Sequence, residues 1–183
     1  VRVFTTGGIG GVHPGQTGDV SADLPELART PMAVVCSGAK AILDVPRTLE
    51  WLETVGVPVV GWGTDEFPGF TLRGSGLPVM ARVDTADEAA TLLHVHWEMG
   101  LLGSVLFCVP CPEEAAVSPD VFAGALRRAK DEAEAQGVAG QQLTPFLLAR
   151  LSELTGGQTL RANLALLRNN ARVAAEIALA LSG

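Results

Sequence analysis

Positive charge is scarce in this chain. Thirteen lysines and arginines stand against 20 aspartates and glutamates, and Lys40 and Lys130 are the two lysines. A net charge of -7 excludes nucleic-acid binding driven by phosphate neutralisation. Small anions can still be held locally, at helix N-termini or glycine-rich loops. Apolar runs stop short of the roughly 18 residues a membrane span requires, and no segment reads as a signal peptide. Cysteine is sparse as well: Cys36, Cys108 and Cys111 form an odd set with no disulfide framework. Together these absences predict a cytoplasmic protein in a reducing compartment, away from membranes. A starting methionine is also absent. Val1-Arg2-Val3-Phe4 reads as a strand already under way, which suggests that an N-terminal portion is missing, processing being the other explanation for the absent methionine.

What is present is a core-rich chain. With 183 residues and 48% hydrophobic content, it suits one well-buried domain spanning residues 1–183. Apolar runs at Val1–Phe4, Met32–Cys36, Val57–Gly61, Leu77–Val83 and Ser104–Val109 predict strands. Helical segments alternate with them. Pro25–Arg29 is predicted to be capped by Asp23, and Pro46–Val55 to be closed by Gly56. Thr85-Ala86-Asp87-Glu88 is a capping box for a helix ending at Gly100. Ser118-Pro119 opens a helix to Gln136, Thr144-Pro145 opens another that stops at Thr155-Gly156-Gly157, and Leu160–Leu181 closes the chain. The expected fold class is α/β: a layered α/β/α domain with a largely parallel or mixed sheet flanked by helices.

Candidate chemistry gathers near the ends of the first two strands. Lys40 follows Met32–Cys36 through the turn Ser37-Gly38-Ala39. A desolvated lysine loses its proton more readily, and a neutral amine can form a Schiff base. The alternative is a lysine that snorkels to the surface. Lys130, among Arg127, Arg128, Asp131 and Glu132, reads as part of a solvated helix face. The stretch Gly7–Asp23 is glycine-dense at first and then carries His13, Asp19, Ser21 and Asp23. Asp19-x-Ser21-x-Asp23 offers carboxylates for a hard cation and hydroxyl groups for a sugar or phosphate, or simply helix caps. The glycines fit neither the dinucleotide fingerprint nor the P-loop. His94 and His96 diverge around a helix, which disfavours a shared metal. Cys108-Val109-Pro110-Cys111 has redox spacing without the surrounding unit. Asn163 and Asn170 share one face of the last helix, where they hold either a ligand or a neighbouring loop.

These strings taken together resemble the pseudouridine-5′-phosphate glycosidases, the family that includes indigoidine synthase A-like proteins. The resemblance runs through Phe4–Gly15, Asp19–Pro31, Val34–Asp44, Thr48–Phe70, Thr144–Gly157 and Asn163–Ala178. It implies reversible cleavage of the C–C bond between uracil and ribose in pseudouridine 5′-phosphate, giving uracil and ribose 5-phosphate. It also implies Lys40 as the nucleophile at C1′ and Asp19 as ligand of a divalent metal, most readily Mn2+. Ser21, Ala22 and Asp23 correspond to a substrate-binding triplet, with His13 and Asn170 in motifs that line the pocket. A homotrimer is implied.

A C-glycosidic bond has no oxygen or nitrogen leaving group to protonate, so a two-carboxylate route suits it poorly. A lysine bonded to C1′ supplies another. Lys40 then has to release its proton near neutrality, about 3 pH units below the usual lysine value near 10.4. Val34, Val35, Ile42 and a nearby cation are expected to drive that change. The chain departs from the family in two ways. Val109-Pro110-Cys111-Pro112 replaces an Asn-Pro-x-Pro string, removing an amide expected to face the site. The chain also corresponds to the C-terminal two-thirds of the family domain, without the segment that carries a glutamate proton donor. The alternatives are a sugar-phosphate and metal-binding module that cannot turn over, and a class I aldolase-type enzyme using the same lysine.

Overall fold

The computed structural model describes every residue except Gln16 and Thr17. Five strands form one parallel sheet in the order β1-β2-β5-β3-β4, with β1 at Val3–Thr5, β2 at Ala33–Cys36, β3 at Val59–Trp62, β4 at Ala81–Val83 and β5 at Val105–Cys108. The central pair β2 and β5 is buried along its whole length, with Val35 opposite Phe107 and Cys36 opposite Cys108. Continuous apolar runs are what a parallel strand covered on both faces needs, because every side chain meets a helix layer.

Alternation along the strands divides the core. Val34, Cys36, Leu106 and Cys108 pack with Leu24, Leu27 and Leu52 beneath α1 (Asp23–Leu27) and α2 (Val45–Thr54). Val35, Val60, Val105 and Phe107 face the opposite layer, where α3 (Ala86–Glu98) and α6 (Gln158–Ala180) contribute Leu93, Val173 and Ile177. A third cluster joins α4 (Pro119–Ala135) and α5 (Leu143–Leu154) to the first half of α6. Arg150 of α5 ties this part together through ion pairs with Glu132 and Glu153. No helix among the described residues is long and apolar enough to cross a membrane.

The expected elements are all present, with shifted limits. The Leu77–Val83 run forms a strand at Ala81–Val83 alone. Upstream, Pro78 lacks an N–H for a ladder and makes an isolated bridge with Glu66. The helix expected at Pro25 begins at Asp23, and its N-terminus has no side-chain cap. Asp23 is occupied elsewhere, as described below. The predicted caps at Thr85 and Ser118 are formed: their hydroxyls accept from Glu88 N at 3.2 Å and Val121 N at 3.4 Å.

The two sheet edges differ in chemistry. On β4, Arg82 pairs with Asp65 at 2.9 Å and Asp84 at 2.8 Å, placing charge along the edge. On β1, Phe4 is 51% exposed.

Candidate active site

The chain leaving β1 forms a ribbon, described at 6–15 and 18–23, that bonds to the carboxyl end of β2 and the chain after it, the end of an open α/β sheet where ligands sit. Its first half is held from two sides. Ile9 N donates to Gly38 O at 3.0 Å and Ser37 N donates to Gly7 O at 2.8 Å, stitching it to the chain leaving β2. From α6, Asn170 is fully buried. Its Nδ2 donates to Thr6 O at 2.9 Å and Gly7 O at 3.3 Å, and its Oδ1 accepts from Ser37 Oγ at 3.1 Å. The loop-holding alternative for Asn170 is therefore the one its hydrogen bonds display. Asn163, two turns earlier on α6, lies with its Oδ1 3.1 Å from where a Cβ on Gly7 would sit.

Ser21, Ala22 and Asp23 close the far end of the ribbon. Asp23 Oδ2 accepts from Gly10 N at 2.7 Å, while Ser21 Oγ accepts from Asp23 N at 3.2 Å. Ala22 is exposed, and its carbonyl accepts from Glu26 N in the first turn of α1. A Cβ on Gly10 would stand 2.1 Å from Ser21 Oγ, so glycine is what lets the triplet lie against the ribbon. Asp23, expected as a helix cap, instead clamps a backbone 13 residues away. Sequence spacing could not reveal that partner.

Lys40 sits where the second strand's loop meets this ribbon. Its N–H donates to Ile9 O at 3.1 Å and its carbonyl accepts from Leu43 N at 2.9 Å. The side chain is half-buried, and among the described residues it has no ion pair. The turn before it is tightly specified. Gly38 has φ 79°, and a Cβ there would meet Pro68 O at 2.1 Å. Phe67 Cε1 lies 3.1 Å from the same position, and Phe70, the one non-glycine residue with positive φ (62°) among the described residues, donates its N–H to Ser37 O at 2.9 Å. Of the apolar neighbours expected around Lys40, Val34, Val35 and Ile42 lie in three separate clusters. Consecutive strand residues point to opposite faces, so Val34 and Val35 cannot both surround one side chain.

Two cavities open onto the ribbon, and another lies beside the loop that carries Lys40. One of about 690 Å³ is lined by His13, Asp19, Ile42, Lys130, Glu134 and Thr144, among others. Lys130 is exposed on α4, as expected of a solvated face, and also shares this cavity with two of the predicted site residues. Another, of about 270 Å³, lies beyond Ala41 and Ile42. Asn163, Phe70 and Thr71 line it, and Thr71 Oγ1 is buried with no partner. The third, of about 390 Å³, runs from Met32 and Val34 to Thr6, Ile9 and Asp23. Lys40 itself lines none of the three.

All the predicted site residues lie on the ribbon or bond to it, although they do not line one common cavity. Among the described residues, no group of three or more His, Cys, Asp or Glu side chains is placed to hold a metal. Asp19 is exposed at a cavity wall and offers one hard oxygen donor group, which suits a largely hydrated Mg2+ or Mn2+.

The remaining motifs are structural. His96 is buried with Nε2 2.9 Å from Gly103 O, and the exposed His94 stacks edge-on against Trp97. Burial and the neighbouring Cys36 push the Cys108 thiol well above its usual range, and burial pushes Cys111 up to about 11. Both therefore stay protonated and make poor nucleophiles or metal ligands. Val109, expected at a position facing the site, is 2% exposed in the core beneath α6.

Residues 1–180 match the family described as indigoidine synthase A like protein. The chain belongs to that family. Similar proteins include the pseudouridine-5′-phosphate glycosidases of Solibacter usitatus, 54% identical over 97% of this chain, and of Caldanaerobacter subterraneus subsp. tengcongensis, 53% identical over 100% of it. The chain spans about 60% of the length of each. Among solved structures, the fold matches a prealnumycin C-glycosynthase in complex with ribulose 5-phosphate, with TM-score 0.93 and 40% identity. It also matches an indigoidine synthase A-like protein of Thermotoga maritima, with TM-score 0.91 and 43% identity. Both matches cover 100% of this chain, and 61% and 60% of those chains. The expected family and fold class are thus borne out. The parallel sheet and its flanking helices constitute the greater part of the indigoidine synthase A-like fold.

Proposed function

We propose that this chain carries the nucleophile-bearing part of a pseudouridine-5′-phosphate C-glycosidase, with Lys40 as the nucleophile. The observation that carries the reading is the hydrogen bond of Lys40 N–H to Ile9 O. That bond joins the amine-bearing loop to the ribbon holding Asp19, Ser21, Ala22 and Asp23. Support also comes from the relatives named for this activity, 53–55% identical, and from the ribulose 5-phosphate bound by the C-glycosynthase.

In the proposed reaction, neutral Lys40 Nζ bonds to C1′ as the C1′–O4′ bond opens and O4′ takes up a proton. The nitrogen lone pair then forms the C1′=Nζ iminium as the C–C bond breaks. The bonding pair passes to uracil C5, which takes up a proton. Water hydrolyses the iminium to ribose 5-phosphate and restores the amine. Ser21, Asp23 and the exposed Ala22 backbone orient the sugar phosphate, with His13 at the neighbouring cavity wall. Asn170 acts from behind, by fixing the Thr6–Gly7 backbone. Asp19 would hold a divalent cation, Mn2+ being the family expectation, which supplies positive charge beside an anionic substrate. In this reading the assembly is a homotrimer.

Borohydride trapping tests the proposal. Incubation with ribose 5-phosphate, a divalent cation and borohydride should leave a reduced adduct on the Lys40 peptide, visible by mass spectrometry. Lys40→Ala should abolish it without changing thermal stability. An adduct that persists in Lys40→Ala removes the mechanism. Because the chain spans about 60% of its relatives' length, a binding module without turnover is the second reading. Ribose 5-phosphate binding with no adduct and no change in uracil absorbance would select it.

A further inference from the structure

A sugar phosphate bonded to Lys40 through C1′ carries its phosphate on C5, at the far end of the carbon chain. In a protein of net charge -7 that anion needs positive charge close by. From Lys40 to Asp44 the loop follows the ribbon, with Lys40 N donating to Ile9 O at 3.1 Å and Asp44 N to Val12 O at 2.9 Å. Moving away from Lys40 along it leads to Ile42, which lines the cavity of about 690 Å³ together with His13 and Asp19. Ile42, Ala133 and Leu147 give that cavity buried apolar walls. Its titratable groups are His13 and Asp19 from the ribbon and Lys130 and Glu134 from α4. The two carboxylates repel an anion. Lys130 is the one lysine or arginine in the lining, and among the described residues it has no ion pair. Arg47, which donates to Gly15 O at 3.1 Å, does not line the cavity.

We propose, resting on the sugar-phosphate reading of this site, that Lys130 is the phosphate anchor of the cavity and sets a preference for phosphorylated over free sugars. Its ammonium pairs with the C5 phosphate beside the cation held at Asp19, a charge-assisted contact that a free sugar cannot make. The two lysines of the chain then grip opposite ends of one substrate, Lys40 at C1′ and Lys130 at the phosphate.

Calorimetry with ribose 5-phosphate and with ribose tests this in four proteins: the parent, Lys130→Gln, Lys130→Arg and Arg127→Gln. Lys130→Gln should weaken ribose 5-phosphate binding about fivefold and leave ribose binding unchanged, and the difference should shrink in about 0.5 M salt. Lys130→Arg keeps the charge and should stay within about twofold of the parent. Arg127→Gln removes the same charge from α4 outside the cavity lining, and should also stay within about twofold. The borohydride adduct is read in parallel. No Lys40 adduct in any protein, with the fivefold calorimetric loss intact, would remove Lys40 as nucleophile and keep Lys130 as anchor. Equal ribose 5-phosphate affinity in Lys130→Gln and the parent would overturn the proposal, as would equal losses in Lys130→Gln and Arg127→Gln. So would a parent that binds ribose 5-phosphate no more tightly than ribose.

Discussion

The two halves of the glycine-rich ribbon are held very differently. From Thr6 to Gly11 the backbone is pinned by Asn170, by Ser37 and Gly38, and by the Asp23 carboxylate. From His13 to Asp19 the described residues are half-exposed or exposed. The backbone bonds His13 N to Asp19 O at 2.9 Å and Ser21 N to Gly11 O at 3.0 Å close that turn at its base, and Arg47 donates to Gly15 O at 3.1 Å from outside. The first half behaves as scaffold, with its polar groups spent on the protein. The second presents an imidazole and a carboxylate to a cavity. Fixed backbone beneath and free side chains above is the division of labour a binding loop requires.

The comparison is broken most severely at the Lys40 turn that backs the pinned half. Gly38→Ala places a Cβ 2.1 Å from Pro68 O at φ 79°, and should cost about 3 kcal/mol or prevent folding. Chemical denaturation of the purified variant measures it, and a loss below about 0.5 kcal/mol would show the turn to be adaptable. Asn170→Ala comes next. It leaves the Thr6 and Gly7 carbonyls and the Ser37 hydroxyl without their buried partner, for a loss of about 2 kcal/mol. Asn170→Asp should do no better, because a carboxylate cannot donate to those carbonyls. If either variant instead kept full stability while losing sugar-phosphate affinity, Asn170 would be a ligand-contacting residue.

How much of this was legible follows from what each signal depends on. Strands β2 and β5 were plain because burial on both faces leaves an unbroken apolar run. β4 was overextended because hydrophobicity does not register that Pro78 cannot enter a ladder. The ribbon's importance was visible in its glycine density and in the Asp19-x-Ser21-x-Asp23 spacing. Its internal wiring was not. Asp23 in front of a helix looks like a cap until the chain brings Gly10 to it. Asn163 and Asn170 share a helix face and look equivalent, yet one is consumed by Thr6, Gly7 and Ser37 while the other lines a cavity. The surroundings of Lys40 were misjudged for a geometric reason, since neighbours in sequence along a strand face opposite layers.

Asp23→Ala tests where the pinned half ends. Removing the carboxylate frees Gly10 N–H at a partly buried position, and the stability loss should be about 1 kcal/mol. Ribose 5-phosphate affinity, read by calorimetry, should fall more than that stability loss explains if Asp23 also faces the ligand. An affinity unchanged within error would confine Asp23 to the scaffold.

The smallest structural effect is expected at the outer turn, and it separates the two halves most clearly. Asp19→Asn keeps the shape of an exposed side chain that has no ion pair among the described residues, so stability should stay within about 0.5 kcal/mol of the parent. If the carboxylate supplies the hard donor for a divalent ion, the variant should lose Mn2+ binding measured by electron paramagnetic resonance, because an amide oxygen carries no charge to offset the cation. Retained Mn2+ affinity would move the cation elsewhere. A large stability loss would mean that the outer turn, like the inner one, is scaffold.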